Sequence, residues 1–295
     1  MFLQIVKTQA RKLINLSSRN MSSETQAFMP PGFFLGSGEP ISKADFYNRI
    51  VTSRAPVIMI GENHEDPLAH AFELEILKKL KTAESHFALS LEFYDRECQT
   101  VLDEYLAGLI PLDTFLSDSR PPANHADYQP LLDLCKAVHL PVIAANCPRR
   151  YTRLVSKGGR DCLTPLASTS ARQLLPPLPY EGASQKYTGN FIEIMRAMGN
   201  SNPSVPTTML DAQSLWDATM ADSIHQGLAR LERVVHVTGY FHVQYRLGLV
   251  EHLVRLRPDA EILTIVMLPA EDTKEMSEEQ KNIADLVVLT DIEAL

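Results

Sequence analysis

The sequence predicts an α/β fold: a mostly parallel sheet with helices on both faces, plus a small helical or lid insertion. Three observations predict it. Short apolar runs recur at residues 57–60, 87–91, 141–145, 234–238, 261–267 and 285–289, as strands buried on both faces do. Longer stretches with apolar residues at helical spacing lie between them. Alternation of the two kinds implies crossover connections and a parallel sheet. The 295 residues, 45% of them hydrophobic, suffice for one large domain, placed here at 28–295.

Residues 1–27 are set apart. Lys7, Arg11, Lys12 and Arg19 precede the first acidic residue, Glu24, while Phe2, Ile5, Val6, Leu13 and Leu16 share one side of a helical wheel. A basic, amphipathic, Ser-rich and acid-poor start predicts a mitochondrial transit peptide. A surface-docked arm on a cytoplasmic protein is the alternative, and Met21 offers a second start. Pro30-Pro31-Gly32 reads as a linker.

The elements then follow in order. Ser42 caps a helix to about Thr52. Val57 to Ile60 is the first strand; Gly61 ends it, and Glu62 and His64 occupy the loop. Asp66 and Pro67 start a helix to about Lys81. Phe87 to Leu91 is the second strand, ending at Glu92, and Asp95 caps the next helix. Tyr128 to His139 is a helix, and Pro141 to Ala145 a strand ending at Asn146-Cys147-Pro148-Arg149. Prolines at 176–179 and 203–206 bracket a segment read as a lid, 176–207. Thr208 to Leu231 is a long helix, Val234 to Thr238 a strand leading to His242, and two further strands close the domain.

Composition excludes several function classes. A net charge of -8 and no basic stripe argue against nucleic acid. No run of about 18 apolar residues is present to span a membrane. Cys98, Cys135, Cys147 and Cys162 form no C-x-x-C pair, so a zinc knuckle is not expected and free thiols are. Ser90 lacks the G-x-S-x-G elbow of a serine hydrolase.

The strand ends carry the chemistry. Glu62 and His64, Glu92, Asn146 and Arg149, and His242 each follow an apolar run, where a parallel sheet exposes its ligand edge. Glu and His in one cleft suit a metal, a haem or general acid–base work. His70 is six residues from His64, off the zincin spacing, and reads as a helix-surface or supporting residue. His236, inside a strand, reads as a satisfied core histidine. Trp216 reads as core, and Arg96 stands where it could orient Glu92.

These motifs carry a resemblance. Gly61-Glu62-Asn63-His64, Leu91-Glu92, Asn146-x-Pro148-Arg149, Gln213-x-x-Trp216-Asp217-x-x-Met220-Ala221 and Gly239-x-x-His242 resemble the ChaN-like haem-binding uptake proteins, within the wider group that includes Tiki, TraB and erythromycin esterase proteins. The resemblance covers roughly residues 50–270. It implies an α/β fold and a cleft lined by these motifs. For ChaN it implies haem binding, with His64, His242, Tyr240, Tyr128, Asn146 and Arg149 as the candidate contacts. For Tiki and the esterases it implies hydrolysis, in which Glu62, His64, Glu92 and His242 would be catalytic or would hold zinc or manganese. The bacterial lipoprotein signal is not seen, which favours an organelle over surface iron uptake. Cys147-Pro148 adds a candidate thiolate to haem, although a small buried residue is the commoner case. The expected partner is haem or another small molecule, and a homodimer is a further expectation.

Overall fold

The computed structural model describes residues 29–83, 86–197 and 205–294; the expected targeting segment lies outside them. Seven strands form one sheet: β1 (Gly32–Leu35), β2 (Val57–Glu62), β3 (Phe87–Asp95), β4 (Val142–Asn146), β5 (Arg233–Gly239), β6 (Ile262–Ala270) and β7 (Leu286–Asp291). Their order is β1-β7-β6-β2-β5-β3-β4. Every neighbouring pair is parallel except β1 and β7. The fold class is as the sequence predicts, with one addition. The stretch read as a linker continues into β1, whose four residues are too few to show an alternation by themselves.

The strand order places β2, β5 and β3 side by side at the centre. Their C-terminal ends therefore lie together, although β5 is far away in sequence. Alternation along β2 divides the core. Ile58 and Ile60 pack with α1 (Lys43–Thr52), α2 (Pro67–Ala83), α3 (Gln99–Leu106), α4 (Leu112–Ser119) and α5 (His125–Ala137) on one face. Val57 and Met59 pack with α8 (Thr207–Leu228) and α9 (Leu249–Leu256) on the other. Asp66 caps α2 as expected: its Oδ1 accepts the N–H groups of Leu68 and Ala69 at 2.9 and 3.3 Å.

Two features shape the ligand edge. The β3–β4 register slips, since Leu91 pairs with Ala144 but Asp95 with Asn146. Residues 92–94 thus arch out of the ladder, and Glu92 is released from the flat of the sheet. The segment expected as a lid contains α7 (Gln185–Ala197). There Tyr187 and Phe191 are buried against Phe241, at ring separations of 5.0 and 5.7 Å. These two aromatic residues share a face of the helix because they recur at helical spacing. A further helix, α6 (Arg149–Gly158), packs Tyr151 and Val155 against Ala212 and Leu215 of α8.

Candidate functional site

Gly61 is the first requirement of the site. A Cβ there would lie 2.7 Å from Tyr240 Cα, so the β2 and β5 tips approach only because the side chain is missing. Glu62 follows, 1% exposed. Its Oε1 accepts the Tyr128 hydroxyl at 2.6 Å and His64 Nδ1 at 2.8 Å. Its Oε2 lies 2.7 Å from His70 Nε2. Burial pushes the Glu62 carboxyl up, but the His64 hydrogen bond and the nearby His70 outweigh this and hold it at about 2. Glu62 is a buried anion engaged through Oε1, while Oε2 has no partner in hydrogen-bond geometry among the described residues.

His64 is the accessible member, with a quarter of its side chain exposed. With Nδ1 held by Glu62, its Nε2 edge lies over Gly239, where a Cβ would come within 2.9 Å. Phe93 meets the ring edge-on at 5.6 Å and stacks on Tyr128 at 3.7 Å. Burial lowers the imidazole's proton affinity, but the Glu62 hydrogen bond and the charges of Glu92 and Glu62 raise it further than that.

Glu92 stands between the two histidines. Its Oε2 accepts the Thr238 hydroxyl at 2.5 Å and the Gly239 N–H at 2.8 Å. Its Oε1 is 3.7 Å from His242 Nε2. Burial acts to raise Glu92, yet the charges of His242 and His64 and these two bonds leave it below the ordinary carboxylate range. His242 is nearly buried, and its Nδ1 contacts Asp217 Oδ1 at 2.6 Å. Burial lowers its proton affinity, but Asp217 and Glu92 raise its pKa to about 9. Trp216 meets the same ring at 6.5 Å.

Glu62, His64, Glu92 and His242 are thus brought together at the C-terminal sheet edge. The other candidates are placed differently. Tyr128 is wholly buried and its hydroxyl serves Glu62, so it supports His64 rather than facing a ligand. Tyr240 packs against the core on the α8 and α9 side, and Phe241 turns to α7. Asn146 and Arg149 shape the β4–α6 turn: Asn146 Oδ1 accepts the Cys147 N–H at 2.8 Å, and Asp95 accepts the Arg149 N–H. Cys147 is buried among Tyr151, Val155 and Leu215, and burial pushes its thiol up to about 12. Arg96 does not reach Glu92. Its guanidinium bonds Ser223, Asp222 and the carbonyls of Leu175 and Thr219. His236 is a core histidine as read, paired with Ser90 at 2.9 Å and held neutral by burial, at about 3.

Among the described residues no three His, Cys, Asp or Glu side chains are grouped to hold a metal ion. Of the residues expected to hold zinc or manganese, Glu62 gives its Oε1 to Tyr128 and His64, Glu92 gives its Oε2 to Thr238 and Gly239, and His242 gives its Nδ1 to Asp217. Asp217 and Thr238 are the contributors that strand-end reasoning missed, while His70, read as a helix-surface or supporting residue, stands beside Glu62. Asp217 stood within a motif already quoted, but its role needed the α8–β5 contact to become visible.

Comparison with known proteins settles the family. Residues 51–253 match the model of the family described as "Haem-binding uptake, Tiki superfamily, ChaN". The chain belongs to this family. Among solved structures, ChaN of Campylobacter jejuni, described with cofacial haem, superposes with a TM-score of 0.68 at 16% identity, covering 92% of this chain and 99% of that one. Erythromycin esterase EreC in an open conformation superposes at 0.53 with 10% identity, over 88% of this chain and 97% of that one. Protein RETICULATA-RELATED 5, chloroplastic, of Arabidopsis thaliana is 26% identical over 259 residues, 79% of this chain but 34% of the plant protein. The chain therefore spans about a third of that relative's length.

Proposed function

We propose that the chain binds haem at the cleft between the β2, β3 and β5 tips, with His64 as the imidazole facing the iron. The observation that carries this reading is the state of the His64 ring. A buried carboxylate holds Nδ1 of this part-exposed ring and leaves Nε2, which lies over Gly239, for a ligand, the arrangement that orients and strengthens a metal-ligating imidazole. Membership of a haem-binding uptake family supports it. His64 fits the group; Tyr128 and Cys147 do not, since both are buried and their polar atoms are engaged. Bound haem would supply iron for carriage or redox work. The chain's own part is to position the imidazole, hold its Nδ1–H against the Glu62 carboxylate, and surround it with Phe93 and Gly239.

Haemin titration tests this reading. A saturable Soret shift is expected, lost in His64→Ala and kept in Cys147→Ala. Protonated imidazole does not ligate iron, and His64 holds its proton to higher pH than usual, so affinity is expected to fall as pH drops through the neutral range. A titration without saturation, or a shift indifferent to His64→Ala, would overturn it.

A second reading rests on a separate observation. His242, clamped between Asp217 and Glu92, is a cation at neutral pH and lies close enough to His64 for their charges to interact. His64, once deprotonated, as base beside a cationic His242 as acid is an arrangement suited to ester hydrolysis without a metal. The engaged Glu62 is then a support, not the base. Turnover of simple esters, abolished by His64→Ala and by His242→Ala but insensitive to chelators, would favour this reading.

A further inference from the structure

Glu73 lies at no strand tip. It follows His70 by three residues on α2, on the same face, and its side chain is wholly buried. Among the described residues, no N–H or O–H donor reaches either of its oxygens. Its polar neighbour is the Glu62 carboxyl, whose Oε2 is likewise buried without a hydrogen-bond partner, and Asp66 adds a further negative charge nearby.

Two carboxyl groups in contact in a water-free interior do not both ionise. The question is which keeps the proton, and the surrounding groups decide it. From α5, Tyr128 donates to Glu62; from the β2–α2 loop, His64 donates to it; from α2, His70 approaches it. On Glu73's side stand Asp66, itself bonded to Thr290 of β7, and Glu62. Glu62 thus has the donors and Glu73 has none. Burial, followed by the Glu62 charge, favours the protonated form of Glu73.

We propose that Glu73 is a positioning residue of the cleft, a neutral carboxylic acid that donates to Glu62 and so fixes the anion that orients His64. Glu62 Oε2 has His70 beside it but no partner in hydrogen-bond geometry, and a proton on Glu73 supplies the donor that keeps the carboxylate, and with it the His64 ring, from turning. The proposal deepens the reading of His64 as the ligand-facing group and rests on it only for its consequence on binding.

Two measurements on the full chain test it. At pH 7 the infrared C=O stretch of a protonated carboxylic acid should be present and should disappear in Glu73→Gln. Haemin affinity should change by less than about twofold in Glu73→Gln, whose amide N–H still donates, and fall about tenfold in Glu73→Leu, as on loss of a supporting partner. Circular dichroism checks that both variants fold. The proposal is overturned if the acid band is missing or survives Glu73→Gln. It is also overturned if Gln impairs haemin binding as much as Leu. Should Glu73→Leu not fold, the infrared band and the Gln variant decide. Should the wild-type chain bind no haemin, the reading of His64 fails separately and the infrared band decides alone.

Discussion

His242 is gripped at Nδ1 by Asp217 and faced at Nε2 by Glu92. Its proton is bound more tightly in the fold than in the unfolded chain, so the sign of its pH effect is fixed. The contribution is fully present below the ordinary histidine value of 6.5 and is lost as pH rises through about 9. The urea midpoint is therefore expected to fall between pH 7 and 10, with a shallower fall in His242→Gln. Glu62 has the opposite sign: its contribution is present above the ordinary carboxylate range and lost only as pH falls toward 2. Tyr128→Phe keeps the ring stack on Phe93 but removes a donor from this buried anion. It is expected to cost about 1–3 kcal/mol in urea denaturation. At this scale the sequence was partly legible. Glu62, His64, Glu92 and His242 were found because each ends an apolar run. Glu73 and Asp217 were not, because a carboxylate in mid-helix looks like a solvated face until the facing element is known.

Among the elements, β3 and α8 do most to define the cleft. The register slip after Leu91 frees Glu92, and Thr238 and the Gly239 N–H of β5 then take up its Oε2. Thr238→Val is nearly isosteric and removes one of those bonds. It is expected to cost roughly 1.5–3 kcal/mol, the range for a bond to a charged group, and to raise the Glu92 pKa, measurable by carbonyl-carbon NMR. α8 is buried on most sides and carries Asp211, Gln213, Ser214, Asp217, Thr219, Asp222 and Ser223 inside the protein. Its length was legible from its pattern. Its polarity was not interpretable until Arg96 was seen to bond Ser223, Asp222 and the Thr219 carbonyl. The long apolar-patterned elements were read closely. Residues 149–184 were not, since α6 leads there into short 3-10 turns with no sustained period.

At the scale of the molecule, parallel pairing of β2, β5 and β3 is what converts separate sequence motifs into one cleft. Alternating strands and helices revealed the parallel sheet, but not that residues 233–239 insert between 57–62 and 87–95. No local pattern encodes strand order. Among the described residues no helix is long and apolar enough to cross a membrane. Residues 1–27, read as a targeting segment, fused to a reporter, are expected to carry it to an organelle; diffuse cytosolic signal would refute that.

Little slack separates such a leader from the folded domain. The Met29 N–H already reaches Asp291 at 2.7 Å, the Thr273 hydroxyl holds the Pro30 carbonyl at 2.7 Å, and β1 starts at Gly32. A maturation protease cutting near residue 27 would leave this hem intact. A cut beyond Leu35 would strip the antiparallel border from β7 and bare a row of backbone groups to other chains. A chain starting at residue 28 should stay monodisperse on gel filtration, and one starting at residue 37 should aggregate. Four border residues thus set how far proteolytic trimming can go before the protein turns adhesive.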